Sequence, residues 1–172
     1  ANYHVWFHHH EADGWITVAR KEGKKWIQEH YKPEKLALKL SEWLGEDVYF
    51  SQNTFYKPYR KIENIRQLRA MYVDLDFYIL NYDENWVLGN IDLMVGDGII
   101  PNPNMVIHSG RGVVCVWLIE PAPYKALPLW QVLQEYFLKE LAKYGADGKA
   151  IDAARVFRIA GSVNSKSGEV VK

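Results

Sequence analysis

Two aspartates raise the first question. In the run "MYVDLDFYIL", residues 71–80, Asp74 and Asp76 stand two apart among apolar and aromatic neighbours. A β-strand sends residues i and i+2 to the same face, so both carboxylates emerge side by side, roughly 6–7 Å apart at Cα. Val73, Leu75 and Phe77 then take the other face. Adjacent bare carboxylates repel unless something positive sits between them. Divalent cations suit the role: Mg²⁺ and Mn²⁺ take hard oxygen ligands, and two of them about 3.5–4 Å apart clamp the attacking and leaving oxygens of phosphoryl transfer. The plain alternative is a solvated pair on an edge strand, but the apolar flanks favour a central one.

Two further segments carry chemistry. "HSGRG", His108–Gly112, separates two apolar runs. Gly110 and Gly112 suffice for a tight hairpin. They also let backbone N–H groups approach an anion, while Arg111 adds a planar fork for phosphate oxygens and Ser109 a hydroxyl. The second segment is "GADGKAIDAARVFRIAGSVNSKSG", residues 145–168. Asp152 is the candidate third metal ligand, with Asp147 its competitor. Arg155, Arg158 and Lys166 are candidate cations for a triphosphate or a nucleic-acid backbone. The plain reading is an ordinary helix-to-strand connection with surface charges.

The elements that must position these groups follow from periodicity. "YHVWFHH" and "EADGWITVAR" predict two strands around a Gly turn. "KPEKLALKLSEWLGED" predicts an amphipathic helix with Pro33 near its start and Gly45 as its stop. "VYFSQNTFY" is strand-like, "KIENIRQLRA" predicts a short helix, and "YDENWVLGNIDLMVGDGIIP" another helix. "NMVIHSGRGVVCVWLIE" is a strand–turn–strand unit. "ALPLWQVLQEYFLKELAKYG" is the clearest helix, capped by Gly145. "ARVFRIAGSVN" closes the chain as a strand-like run. Strands alternating with helices place the fold in the α/β (α+β) class around one sheet.

Bulk properties narrow the partners. A chain of 172 residues with 48% hydrophobic content and seven tryptophans predicts one globular domain over 1–172. Its formal net charge of zero provides no global basic field, although charge can segregate to one face. The lone Cys115 excludes an intramolecular disulfide and a Cys-rich zinc site, consistent with a reducing cytoplasm. No apolar run approaches the roughly 18 residues of a membrane span; the expectation is a cytoplasmic protein with no membrane partner.

In this order, the three segments resemble the archaeo-eukaryotic primase superfamily, most closely the RepB-like replication primases of plasmids and mobile elements. "VDLD" matches the D-x-D strand of its first motif. "SGRGVV" matches part of the second, S-G-x-G-x-H, and Ile151-Asp152 the third. Arg158, Gly161, Ser162, Asn164 and Lys166 match R-x-x-G-[ST]-x-N-x-K. The likeness spans roughly residues 48–168 and departs in one place: Val114, followed by Cys115, stands where the second motif often has histidine.

The resemblance implies a catalytic core with a sheet related to RNA-recognition-motif folds, plus an N-terminal α/β unit. It implies template-directed nucleotidyl transfer: two Mg²⁺ or Mn²⁺ ions on Asp74, Asp76 and Asp152, and an NTP or dNTP held by Ser109, Gly110, Arg111, Gly112, Arg158, Asn164 and Lys166. Arg155 is a weaker helper, since strand residues 155 and 158 would not share a face. Single-stranded DNA is the implied template, and the chain reads as the N-terminal part of a longer replication protein, with a helicase or helper domain beyond Lys172.

"YKPYRKIENIRQLR" sets Tyr56, Lys57, Arg60 and Lys61 together as the candidate template surface, cations beside stacking platforms. Arg66 and Arg69 belong either to the same surface or to a solvated charged helix, and Asn53 or Tyr56 are alternative pocket residues. Two rivals stand beside the primase. "FHHH" resembles the His-apolar-His metal motif of rolling-circle nucleases, with His8 and His10 on one strand face and Tyr136 or Tyr144 as nucleophile. The other is a non-catalytic single-stranded nucleic-acid-binding module.

Overall fold

The structure, a computed structural model, describes residues 1–172. Helix α1 (Asn2–His8) leads into a hairpin of β1 (Ile16–Glu22) and β2 (Lys25–Tyr31), followed by α2 (Pro33–Trp43), β3 (Val48–Ser51) and β4 (Thr54–Phe55). The long β5 (Ile65–Leu75) is succeeded by α3 (Glu84–Gly96), β6 (Met105–His108), β7 (Val113–Ala122), α4 (Leu127–Leu141) and the short β8 (Val156–Arg158). Two four-stranded sheets result where the sequence suggested one, ordered β2-β1-β3-β8 and β4-β5-β7-β6. Every strand pair within them is antiparallel.

Each sheet has its own core. Val18, Phe50, Leu36 and Leu40 fill the space between the first sheet and the N-terminal helices. Tyr72, Leu75, Cys115, Trp117 and Phe137 anchor the larger cluster around β5, β7, α3 and α4, where Trp117 and Phe137 stack with centroids 4.3 Å apart.

Beyond the two-residue β4, the side of β5 away from β7 would leave backbone groups unpaired in the interior, a costly state. Helix α4 and the chain after it satisfy them. Trp130 Nε1 donates to the Ala70 carbonyl at 2.9 Å. The Gln134 amide both accepts from Tyr72 N and donates to Tyr72 O, at 2.8 and 3.1 Å. Further along, Asp147 N donates to Asp74 O and Asp76 N to Gly145 O, each at 2.9 Å. This last pairing carries residues 145–147 to the end of β5. Gly145 permits it twice over: its φ of +85° is left-handed, and a Cβ there would lie 2.8 Å from the Asp76 carbonyl.

Three sequence expectations are corrected. Residues 2–8 form a helix, not a strand; His4, Val5 and His8 are its buried residues, a spacing that one helical face provides and alternation does not. The expected helix at 61–70 is a single 3-10 turn, Ile62–Asn64, after which β5 already begins. Ile65 and Leu68 suggested helical spacing because both are buried in the strand, whose pairing is irregular between Leu68 and Ala70. The final strand is only Val156–Arg158. No helix is long and apolar enough to cross a membrane.

Candidate active site

Asp74 lies in the penultimate position of β5 and Asp76 just beyond its end. The β5–Gly145 pairing brings Asp147 to them, so that one oxygen from each of Asp74, Asp76 and Asp147 lies within 4.8 Å of the others. Asp152 is not in this cluster, which corrects its expected place as third acid. Its Oδ1 accepts Arg155 Nε at 2.8 Å and Nη2 at 2.6 Å, and the residue lines a different depression, beside Trp130 and Gln134. Asp147, the competitor, takes the third corner.

Three carboxylates this close and partly buried need a counter-charge. The nearby arginines supply only part of it: Arg155 pairs with Asp152 and Arg158 with Asp47, and although both favour an ionised Asp74, burial and the neighbouring acids outweigh them. Burial pushes the Asp74 carboxyl up from 3.8 to about 7, and the charges of Asp76 and Asp147 add to the rise. Burial and then Asp147 also raise Asp76, against a lowering by Lys166. An all-oxygen donor set with repelling charges fits a hard divalent cation of the Mg²⁺ or Mn²⁺ kind.

The sign of the pH dependence follows. The ordinary Asp pKa is 3.8 and the folded value for Asp74 is about 7, so in metal-free protein this group's stabilising contribution is complete below pH 3.8, declines as pH rises, and is gone above about 7. Cation binding must displace the Asp74 proton. Calorimetric Mn²⁺ titrations in buffers of different ionisation heat should therefore show proton release at about pH 6, little at about pH 8, and tighter binding at the higher pH.

The acids lie in a cleft of about 260 Å³ whose lining also includes Arg111, Lys166, Arg158, Tyr49 and Tyr78. A larger apolar groove of about 610 Å³ runs between α1 and α2, but convergent, perturbed ionisable groups mark the smaller cleft as the chemical one. The turn between β6 and β7 forms one wall. Ser109 Oγ donates back to Gly112 O at 3.1 Å, so the serine shapes the turn. Gly112 is required there because a Cβ would overlap the Leu75 carbonyl oxygen, and one on Gly110 would overlap Ser167. Asn164, buried, donates from Nδ2 to Ser109 O and accepts Lys166 N at 3.0 Å, tying the 164–168 turn to this wall. Arg111 lies over the Tyr78 ring, 5.4 Å from its centroid.

Sequence reasoning missed Asp47. Its Oδ1 accepts Arg158 Nε at 3.2 Å, Arg158 Nη2 at 3.1 Å and Ser165 N at 3.1 Å, and its Oδ2 accepts the Ser165 hydroxyl. Burial works to raise its carboxyl, but the bonds from Ser165 and Arg158 outweigh that and hold it below the ordinary value. Asp47 has a left-handed φ of 52°, and no spacing in "GEDVYF" announces the contact. Tyr49, its neighbour in β3, lies opposite Arg158 in the sheet, with the guanidinium 5.0 Å from its ring.

No protein-family model matches the chain. It is 43% identical over 163 residues to a curated replication protein of Clostridium perfringens, an alignment covering 95% of this chain and 40% of that relative, so the chain spans well under half its length. Among solved structures, the AEP domain of the cyanophage S-2L primase-polymerase superposes with a TM-score of 0.70 at 17% identity, over 100% of this chain and 88% of that one. The fold is that of the archaeo-eukaryotic primase domain. The catalytic domain of primase RepB′, solved in complex with initiator DNA, has the same fold, with a TM-score of 0.66 at 16% identity over 99% of this chain and 80% of that one.

Within this primase fold, Val114 stands opposite Asp74 on β7, buried and lining the cleft, where the motif's histidine was expected. His108 does not replace it: its ring bonds Glu84 at 2.9 Å. Arg155 precedes β8, so strand alternation does not part it from Arg158, and both line the cleft. Of the template candidates, Tyr56, Lys57 and Lys61 are exposed. Arg60 is half-buried, donating to Gln28 and to the Ala154 carbonyl beside Arg155. Asn53 is buried, bonding Ala153 O and accepting Arg69 N, which removes it from the pocket. Arg66 pairs with Asp13, and Arg69 is a buried residue of β5.

The relaxase arrangement is not present. His8 is buried in α1 with Nε2 against the Gln52 carbonyl, while His10 is exposed beyond the helix, so no strand face carries both. Tyr144 is buried, and the Tyr136 hydroxyl donates to Ile99 O.

Proposed function

We propose that this cleft is the nucleotidyl-transfer centre of a replication primase or primase-polymerase, which builds primers on single-stranded DNA in the copying of a plasmid or mobile element. The observation that carries the proposal is the meeting of Asp74, Asp76 and Asp147 in a cleft that also presents Arg111 and Lys166, within a fold shared with two primase domains. The replication-protein relative supports the cellular context, and the DNA held by the RepB′ domain supports a nucleic-acid partner.

In the reaction, a 3′-hydroxyl gives up its proton to solvent, its oxygen bonds to the α-phosphorus of a nucleoside triphosphate, and the bond to pyrophosphate breaks. Asp74, Asp76 and Asp147 would hold the divalent cations, which when bound acidify the 3′-hydroxyl and stabilise the departing pyrophosphate. Arg111 and Lys166 line the cleft outside the Arg155–Asp152 and Arg158–Asp47 ion pairs, Lys166 also favouring the charged form of Asp76, and both would offset the triphosphate's charge. Arg158, already paired with Asp47, offers less charge and a fixed position. Gly110, Gly112 and Asn164 hold the wall in shape. Ser109 contributes through its turn, and Tyr56, Lys57 and Lys61 offer a surface for the template.

The test is nucleotide incorporation on a single-stranded DNA template with Mn²⁺, using ribonucleotides and deoxyribonucleotides separately. Metal-dependent primer synthesis is expected with at least one set; none with either set overturns the proposal. Arg111→Ala should raise the nucleotide KM by about tenfold or more, the loss of one charge-assisted contact. An unchanged KM would remove Arg111 from the phosphate site.

A further inference from the structure

We propose that Asp47 is a positioning residue for nucleotide binding: from outside the cleft it fixes Arg158 and the turn that carries Lys166 as one cationic wall. The assignment rests on the reading above of this cleft as a triphosphate site. Arg158, Asn164 and Lys166 line the cleft and Asp47 does not. Asp47 is buried, 7% exposed. Its influence on a bound nucleotide must therefore pass through the groups it holds.

One carboxylate serves two segments. Asp47 Oδ1 accepts Nε and Nη2 of Arg158 on β8, at 3.2 and 3.1 Å, and Ser165 N, beside Lys166, at 3.1 Å. Its Oδ2 accepts the Ser165 hydroxyl. The Nη1 edge of Arg158 is left without a partner in the protein, and the guanidinium lies 5.0 Å from the ring of Tyr49, another cleft residue. Asn164 grips the same turn by donating to Ser109 O and accepting Lys166 N. The turn is thus clamped between Asp47 and the β6–β7 wall.

Asp47 is itself held. Its N donates to Val163 O at 2.8 Å, and Val163 N donates to Gly45 O at 2.9 Å. Its φ of 52° is left-handed, a conformation that aspartate and asparagine adopt more readily than most side chains. The Arg158 and Asp47 side chains are only 18% and 10% exposed, so removing one partner strands the other's charge. Two cations lining one cleft repel each other, and a carboxylate bonded to one and to the neighbour of the other offsets that repulsion. Without it the nucleotide would have to order both side chains, at a cost to its affinity.

The test is Asp47→Asn, which keeps the size and the left-handed turn and removes the charge. Non-hydrolysable ribo- and deoxyribonucleoside triphosphates are each titrated by calorimetry with saturating Mn²⁺ present, and Mn²⁺ alone is titrated separately. Affinity for the triphosphates that the wild-type chain binds should fall about tenfold or more, the loss of a charge-assisted contact. Mn²⁺ affinity should stay within about threefold, the scale of one screened charge. In an Arg158→Ala background the same change should cost about threefold or less, the part carried by the Lys166 turn. Unchanged nucleotide affinity overturns the proposal, as does an equal loss in both backgrounds or a wild-type chain that binds neither triphosphate. A parallel collapse of Mn²⁺ affinity also overturns it, since Asp47 would then serve the fold alone. If nucleotide binds as expected but is never incorporated, the catalytic reading fails and the positioning role stands.

Discussion

Asp74→Asn should eliminate divalent-cation binding and primer synthesis while making the metal-free protein more stable. The wild-type carboxyl is held at about 7 by burial, Asp76 and Asp147, so above that pH the fold bears an ionised acid among repelling neighbours. Asparagine keeps the shape and removes the charge. In EDTA at about pH 8, the melting temperature should rise by a few degrees, the scale of one relieved charge conflict in a chain of this size. With Mn²⁺ present the order should reverse, because only the wild-type gains binding energy from the ion. Melting curves of both proteins with EDTA and with Mn²⁺ check the crossover. A variant destabilised under both conditions would mean that Asp74 serves the fold instead of a cation.

The second large effect separates two acids five residues apart. Asp147→Asn should weaken Mn²⁺ binding by on the order of a hundredfold or more, since one charge about 4 Å away at intermediate dielectric is worth about 4 kcal/mol before solvation offsets. Asp152→Asn should change it by at most about fivefold, the scale of a partly exposed ion pair such as Asp152–Arg155. Metal affinities of the two variants, by calorimetry or by paramagnetic quenching, decide. Equal losses would indicate that Asp152 reaches the ions after all.

The division between what could be read along the chain and what could not follows the range of the forces involved. Asp74 and Asp76 were legible as a pair because they are neighbours in sequence, although the expected strand over 71–80 ends at Leu75 and Asp76 opens the 3-10 turn Phe77–Leu80. The hairpin around Ser109–Gly112 was legible for the same reason, as was the long helix, although α4 ends at Leu141 and Gly145 caps the 3-10 turn Ala142–Tyr144 that follows it. The third acid was not, because its place depends on a left-handed Gly145 that lets residues 145–147 pair with the open edge of β5. Ile151-Asp152 matched a motif, yet the Arg155 side chain claims that carboxylate. Helix α1 was misread because its aromatic residues favour strands intrinsically, whereas docking of His4 and His8 against Phe50 favours a helix. Asp47 left no trace at all: its partners lie 111 and 118 residues away.

The central claim is that Asp74, Asp76 and Asp147 together hold the cations of nucleotide joining. A crystal of the chain soaked with Mn²⁺ and a nucleoside triphosphate tests it most directly, through the anomalous signal of the metal. Manganese ligated by oxygens of all three acids, with the triphosphate against Arg111 and Lys166, is the predicted result. Saturating Mn²⁺ that leaves this cluster empty, or that binds through Asp152 with Asp147 turned away, would contradict it.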